Sequence, residues 1–284
     1  MIDINTIKDV YKKDNAADME EIIQKYSNTS SAELEYAKSW TGFKDLILVD
    51  KVNECSDIIS FYFKDKEGKK LIKHIAGQYL PIKIKKNDDK YNNEIRTYTL
   101  SMKPNEHIYR ISVKKVEGGL ISSYLHDELE IGHAIEAMVP AGLFTLENNK
   151  KPVVLISAGI GITPLISMLY DAIEDKKNIT FIQAVQNSKI QPFKYDIKKM
   201  EEIIKLKSYV FYSNPLEVDE KGKDYDVEGF IGKEWIENNL DLNSEFYFCG
   251  PPIFMKILNK ALIELGVNRK NIHFEFFGEP QSME

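Results

Sequence analysis

Two glycines separated by one residue stand inside an uncharged stretch, VVLISAGIGITPLISMLY, at residues 153–170. The stretch is nearly as long as a membrane-spanning helix of about 20 residues. Gly159 and Gly161 let a backbone bend tightly and approach a phosphate, and a helix led by Pro164 offers free N–H groups and a positive dipole end. A spanning helix would be broken at its centre by this pattern. We therefore predict a buried strand, a tight turn and a helix.

This Gly-x-Gly-x-x-Pro turn is weaker than a complete dinucleotide fingerprint. The third glycine is absent, and no acidic residue follows the next predicted strand, where it would bind a ribose hydroxyl. By itself the turn is equally compatible with a tight turn in an unrelated α/β protein.

A second group is RTYTLS, residues 96–101. On a strand, Arg96 and Tyr98 face one side and Thr97 and Thr99 face the other. Arg96 could pair with a phosphate, Tyr98 could stack on a ring, and groups near Thr99 could reach a ring nitrogen. The alternative is an edge strand with one surface arginine.

Three further groups each allow two interpretations. In GGLISSYL (118–125), Ser122 is either a helix N-cap or, with Gly119, part of an anion site. In FCGPP (248–252), Cys249 lies at a strand end beside a reacting group or is buried packing. In HFEFFG (273–278), the aromatic side chains belong to the core or contact a cofactor.

The apolar pattern divides the chain at about residue 150. Short β-rich runs with turn residues between them predict six strands of an antiparallel barrel or sandwich, interrupted by one helix near residues 122–129. These runs are 46–49, 58–63, 79–84, 97–101, 108–116 and 134–139. Strands then alternate with amphipathic helices, which predicts a parallel sheet covered by helices on both faces.

The predicted domains are an N-terminal helical segment (1–39), a β domain (40–149) and an α/β domain (150–284). In the first segment, Met19, Ile22, Ile23 and Tyr26 repeat at helical spacing and share one face.

Composition limits the functional class. The 284 residues carry a net charge of −6, which disfavours a general nucleic-acid binder. Cys55 and Cys249 lack the spacing of a metal cluster and suit a reducing compartment. The N-terminus has no signal-peptide pattern. We expect a cytoplasmic protein that needs no metal, nucleic acid or membrane.

Taken in order, the five groups resemble the ferredoxin-reductase superfamily of flavin and pyridine-nucleotide oxidoreductases, and in particular the reductase half of flavohaemoglobins. The resemblance covers about residues 40–280. Beyond the five groups it runs through WTGF (40–43), AGQYL (76–80), YRISVK (109–114), PAGLFTL (140–146) and EG (228–229).

The resemblance implies a six-stranded antiparallel FAD-binding barrel, a parallel-sheet NAD(P)H-binding domain, and a flavin at their interface. Arg96 would pair with the FAD pyrophosphate, Tyr98 would cover the isoalloxazine, and Thr99 would lie beside N5. Cys249 and Gly250 would flank the nicotinamide, and Phe277 would lie against the flavin until nicotinamide displaces it. The catalytic residues would be Thr99, Cys249 and Glu275, with Glu275 tuning the flavin electrostatically. The remaining cofactor-binding residues would be Tyr79, Thr97, Gly119, Ser122, Ala158, Gly159, Ile160, Gly161, Ile162, Thr163, Phe276 and Gly278.

The chain departs from the family pattern in three places. Thr99 replaces the usual serine, and Glu279 rather than proline follows Gly278. The 39 residues before Trp40 are too few for a globin, and the first histidine is His74. No proximal haem ligand is therefore available, and we expect no haem chemistry within this chain.

The resemblance implies hydride transfer from NADH or NADPH to FAD, then electron transfer to a separate haem, iron–sulfur or oxygenase partner. Small diffusible acceptors (free flavin, ferric chelates or quinones) are an alternative, as is a redox-sensing flavoprotein subunit without turnover. One lysine and no arginine in residues 186–189 favours NADH over NADPH.

Overall fold

The structure is a computed structural model that describes residues 40–85, 90–91, 94–204 and 206–278. The helix predicted in residues 1–39 lies outside these ranges. The chain divides between Thr145 and Leu146 into two compact units. Within the described ranges, none of the helices combines the length and apolar composition needed to cross a bilayer.

The first unit is built on six antiparallel strands in the order β4-β3-β6-β1-β2-β5. The two terminal strands meet where Leu100 pairs with Ile111 and the N–H of Ser101 donates to the carbonyl of Arg110 at 2.9 Å. The sheet thereby closes on itself, which confirms the predicted six-stranded antiparallel barrel. The strands are β1 (Lys44–Cys55), β2 (Ile58–Asp65), β3 (Tyr79–Ile84), β4 (Ile95–Thr99), β5 (Tyr109–Lys114) and β6 (Ala134–Ala137).

Alternation along the strands builds the barrel core. In β3 the side chains of Leu80, Ile82 and Ile84 are buried, while the residues between them are partly exposed. The one helix of the described part of this unit, α1 (Leu120–Asp127), buries Tyr124 and Leu125 in the same cluster. It begins two residues before the predicted Ser122, because its N-cap is Gly119, which has no side chain to signal a cap.

The second unit contains six parallel strands in the order β10-β9-β8-β7-β11-β12. The predicted parallel sheet with helices is therefore confirmed. The elements are β7 (Val153–Ala158), α2 (Ile162–Glu174), β8 (Ile179–Val185), α3 (Lys194–Ile204), β9 (Lys207–Tyr212), β10 (Val227–Glu228), α4 (Lys233–Asn239), β11 (Glu245–Cys249), α5 (Pro252–Glu264) and β12 (Ile272–Glu275).

The uncharged stretch is β7 followed by α2, so the prediction of a strand, a turn and a helix is correct. All six residues of β7 are buried. The strand has β8 on one side and β11 on the other, so the chain order reverses here. In open parallel sheets, ligands bind beyond the carboxyl ends of the strands at such a reversal.

Candidate functional sites

A tight turn leaves the carboxyl end of β7. Residues Gly159–Gly161 form a single 3-10 turn, and Gly159 has a φ of +54°, a conformation that favours glycine. The hydroxyl of Thr163 donates to the carbonyl of Ile160 at 3.1 Å and holds the turn closed. Helix α2 starts at Ile162 without a side-chain cap. Its positive dipole end therefore lies at the carboxyl end of β7, where an anion can bind.

The turn packs against the segment that leaves β11. A Cβ atom on Gly161 would lie 2.2 Å from the carbonyl oxygen of Cys249. A Cβ atom on Gly250 would lie 2.8 Å from the Cβ atom of Ala158 and 2.8 Å from the ring of Phe254. The structure thus brings the predicted residues 158–163 together with Cys249 and Gly250. Glycine is required at position 161 because the opposing atoms are all backbone, whereas at position 250 a side chain would press on the Ala158 Cβ atom and the Phe254 ring.

Cys249 and Glu275 end adjacent parallel strands. They are direct partners in the β11–β12 register, and Cys249 is also paired with Ser157 of β7. The Cys249 side chain is fully buried, and burial together with the Glu275 carboxylate raises its pKa far above the ordinary range. Burial also raises the pKa of Glu275 to about 7. Cys249 therefore offers a neutral S–H group, and Glu275 can hold a proton near neutral pH.

The aromatic residues in and after β12 separate into two environments. The ring of Phe274 lies against Phe248 and Phe276, with centroid distances of 5.6 and 5.8 Å. Phe276 packs on the buried core of the second unit. Phe277 is 46% exposed, and Gly278 follows with a φ of +111°. Phe277 is thus the more exposed of the two rings and Phe276 the one packed on the core, and the cofactor contacts predicted for both stay predictions.

In the first unit, the predicted flavin residues lie on paired strands. Tyr79 is opposite Thr99, and Arg96 is opposite Ile82, in the β3–β4 register. Thr99 is buried, and Arg96 and Thr97 are exposed. The Arg96 guanidinium lies 2.7 Å from the carboxylate of Glu94. An exposed guanidinium at a terminal strand of the sheet can exchange this surface carboxylate for a phosphate.

Tyr98 and Tyr79 present aromatic surface near this strand pair. Tyr98 packs partly on the barrel core, and burial raises its pKa to about 12, so its hydroxyl stays neutral. The backbone of Tyr79 exchanges hydrogen bonds of 2.8 and 2.9 Å with Ala141. The adjacent Gly142 has a φ of +119°, and a Cβ atom there would lie 3.1 Å from the Tyr79 ring. Sequence reasoning did not assign Gly142 to the site, although it belongs to the quoted PAGLFTL motif.

Helix α1 starts at an uncapped N-terminus. Its N-cap is Gly119, and Ser122 is in the first turn, so the interpretation of Ser122 as the N-cap is wrong. The Ser122 hydroxyl accepts the N–H of Val116 at 3.2 Å, and a Cβ atom on Gly119 would lie 2.6 Å from that hydroxyl oxygen. The structure therefore brings Gly119 and Ser122 together, and the backbone dipole at the helix start is left to attract an anion.

The residues of each unit fit the cofactors that the motifs suggest. The first unit supplies an exposed arginine, an uncapped helix start and two tyrosine rings, which suit a phosphate-bearing aromatic cofactor. The second supplies a glycine turn and a helix start at a point of strand-order reversal, which suit a dinucleotide. Among the described residues, no cluster of three or more His, Cys, Asp or Glu could hold a metal ion.

Comparison with known proteins decides the family. Residues 45–146 match the oxidoreductase FAD-binding domain, and residues 155–260 match the oxidoreductase NAD-binding domain. The crystal structure of the flavohem-like FAD/NAD binding domain of a Vibrio cholerae nitric oxide dioxygenase is 30% identical, with a TM-score of 0.75. That similarity covers 83% of this chain and 99% of the other. The chain belongs to the ferredoxin-reductase family of FAD- and NAD-binding oxidoreductases.

Within this family, the flavohaemoproteins of Bacillus thuringiensis and Bacillus cereus are 41% and 42% identical over 255 residues. The alignments cover 86% of this chain and 63% of each relative's length. A flavohaemoglobin from Malassezia yamatoensis, solved with bound FAD and haem, shares the fold at 24% identity and a TM-score of 0.72, over 84% of this chain and 61% of that chain.

Family membership defines the coarse activity. The chain is a flavin-dependent NAD(P)H oxidoreductase that uses FAD and NAD(P)H and transfers electrons. The resemblance drawn from the sequence motifs is thereby confirmed.

Proposed function

We propose that this oxidoreductase passes hydride from NADH to FAD and then passes electrons to a separate haem, iron–sulfur or oxygenase protein. The observation that carries the proposal is the backbone packing of the Gly161 turn on Cys249 and Gly250, with Glu275 in register beside Cys249. This packing supports a nicotinamide nucleotide held at the carboxyl edge of the parallel sheet.

In the first unit we assign binding and orienting roles. Arg96 and the start of α1, with Gly119 and Ser122, hold the phosphates of FAD. Tyr79 and Tyr98 flank its ring system. The buried Thr99, at the end of β4, has a hydroxyl that can donate or accept a hydrogen bond with a ring nitrogen. When bound, FAD supplies the capacity to accept a hydride and to release electrons singly or in pairs.

In the second unit we assign residues that bind the nucleotide and exclude water from its nicotinamide ring. The 158–163 turn binds the pyrophosphate through backbone N–H groups. The buried neutral thiol of Cys249 lines the nicotinamide site without adding charge, and Gly250 permits close approach. Glu275 holds a proton at its carboxyl group over part of the neutral pH range. Phe277, whose side chain is exposed, is the candidate residue to lie against the flavin ring until nicotinamide displaces it.

The division of the chain into cofactor-binding domains is part of the same proposal. We assign FAD binding to residues 40–149 and NAD(P)H binding to residues 150–284, with residues 1–39 as a separate segment. The free thiols of Cys55 and Cys249 are consistent with a reducing, cytoplasmic environment.

The acceptor is tested by anaerobic NADH oxidation with a matched panel: a ferric haem protein, a [2Fe–2S] ferredoxin, free FMN, ferric citrate and a soluble quinone. Reduction of a protein acceptor at a rate well above that of the small molecules supports the proposal. Equal or faster reduction of FMN, chelate or quinone would replace the partner protein with a diffusible acceptor. Flavin that NADH does not reduce would instead favour a redox-sensing subunit.

A further inference from the structure

An acidic side chain reaches the carboxyl end of β8 from a different part of the chain. Beyond β8 and β9 the two segments keep pairing, with Ser213 N–H to Val185 O at 3.0 Å and Asn214 N–H to Gln186 O at 2.9 Å. The loop after β9 then returns and places Asp219 beside Ser188. One carboxylate oxygen of Asp219 accepts the N–H of Ser188 at 3.3 Å and that of Leu216 at 2.9 Å.

This position is where a parallel dinucleotide-binding sheet reads the adenosine ribose. The pyrophosphate lies at the first strand–helix turn, here residues 158–163, and an acidic residue at the end of the neighbouring strand accepts a hydrogen bond from the ribose 2′-hydroxyl. The neighbouring strand is β8. The segment that leaves β8 contains no acidic residue of its own before Asp196.

The surrounding charge favours the same function. The loop 213–226 carries Glu217, Asp219, Glu220, Asp224 and Asp226 against two lysines at 221 and 223. No arginine occurs between residues 179 and 226, so the planar guanidinium that suits a 2′-phosphate is absent from this sequence range. Lys189, next to Ser188 in sequence, is exposed.

We infer that Asp219, positioned by Ser188 and Leu216, selects NADH over NADPH by accepting the ribose 2′-hydroxyl and repelling a 2′-phosphate. The inference rests on the proposed nucleotide site and identifies the residue that determines its specificity. The carboxylate is ionised at neutral pH. Partial burial opposes ionisation, but hydrogen bonds from Ser188 and Leu216 hold the pKa of Asp219 below its ordinary value.

The test compares Asp219→Asn with Glu217→Gln. The asparagine keeps an oxygen that can accept the two N–H groups, so the loop retains its hydrogen bonds while the charge is removed. Glu217 lies exposed in the same loop, and its variant removes the same charge two residues away. Calorimetric titrations use ADP-ribose and its 2′-phosphate derivative on the FAD-loaded protein, because both probes bind without any redox step.

We expect the wild type to prefer ADP-ribose, and we expect Asp219→Asn to reduce that preference about tenfold, as removal of a close like-charge repulsion predicts. Glu217→Gln should change it less than about twofold, because the exposed Glu217 carboxylate is solvated, whereas Asp219 is the carboxylate that the N–H groups of Ser188 and Leu216 hold in place. The ratio of kcat/KM for NADH and NADPH should shift in parallel.

Two results would overturn the inference, and they are distinguishable. If ADP-ribose binds normally and both variants shift the preference equally or not at all, Asp219 only stabilises its loop. If ADP-ribose does not bind the wild type at all, the proposed nucleotide site is itself wrong.

Discussion

Replacing Gly161 by alanine tests whether the contact between the two glycine turns forms the nucleotide site. The added Cβ atom would lie 2.2 Å from the carbonyl oxygen of Cys249, 2.4 Å from its carbonyl carbon and 2.7 Å from the nitrogen of Gly250. Optimal contacts between heavy atoms are about 3.5–4.0 Å. The turns must therefore separate by roughly 1 Å. All three opposing atoms are backbone, so a side-chain rotation cannot relieve the clash.

This separation has both a thermodynamic and a kinetic consequence. Strands β7 and β11 are hydrogen-bonded up to Ser157 and Cys249, so the displacement strains their ladder. Overpacking typically costs about 1–3 kcal/mol, and we expect a loss near the upper end. A misplacement of about 1 Å at a positioning group can slow a reaction roughly 100-fold. We therefore expect Gly161→Ala to retain FAD and to reduce it roughly 100-fold more slowly with NADH.

The assays are urea unfolding and anaerobic stopped-flow reduction. Gly232→Ala is the matched control, because Gly232 has a φ of −98° and no atom lies within 4 Å of its added Cβ. We expect that variant to lower the unfolding free energy by no more than about 1 kcal/mol, because Gly232 is the N-cap of α4, where alanine is less favourable than glycine. The reasoning is refuted if Gly161→Ala unfolds and reacts like the wild type.

Three further substitutions test other parts of the account. Arg96→Ala should weaken FAD binding at least about tenfold, since charged hydrogen bonds contribute about 1.5–3 kcal/mol. Flavin content after gel filtration measures the loss, with Glu94→Gln, which should keep its FAD, as the control. Full retention of FAD by Arg96→Ala would contradict the assignment. Lys51→Met should lower the free energy of unfolding by about 1–2 kcal/mol in thermal unfolding, because the Lys51 ammonium group donates to the carbonyls of residues 125, 126 and 129 at the end of α1. The control Lys115→Met removes only an exposed ion pair and should cost less than about 1 kcal/mol. Equal losses in the two variants would refute the capping role of Lys51. Glu275 has a pKa raised from 4.5 to about 7 in the folded state, so its folded form retains a proton that the unfolded form has lost, and it makes stability fall as pH rises between these values. Glu275→Gln should remove that decline, so its free energy of unfolding in urea at pH 8 should exceed that of the wild type by roughly 2 kcal/mol. An unchanged pH dependence of stability in this variant would contradict the raised pKa of Glu275.

Most strands could be predicted from the sequence because burial leaves a local pattern. The barrel strand β3 alternates buried and partly exposed residues, and β7 is uncharged and almost entirely apolar because all six of its residues are buried. Strand β10 was missed. It has two residues, Val227 and Glu228, whose extended form depends on parallel pairing with Phe211 and Tyr212. Such pairing leaves no periodic signal in the sequence.

The candidate sites could be predicted only as separate motifs. The glycines at 159 and 161 indicate a tight turn, but nothing local shows that Gly161 packs on Cys249 or that Cys249 is in register with Glu275. For the same reason, the sequence directly after β8 carries no acidic residue that would indicate the ribose site. Asp219 is 31 residues from Ser188 and reaches it only through the fold.

The most direct test of the central claim is the visible spectrum of the purified protein under anaerobic conditions, recorded before and after addition of NADH and then of NADPH. The account predicts flavin absorption bands that NADH bleaches rapidly and NADPH bleaches more slowly. Flavin bands that neither nucleotide bleaches, or no flavin binding even after FAD is added, would contradict it.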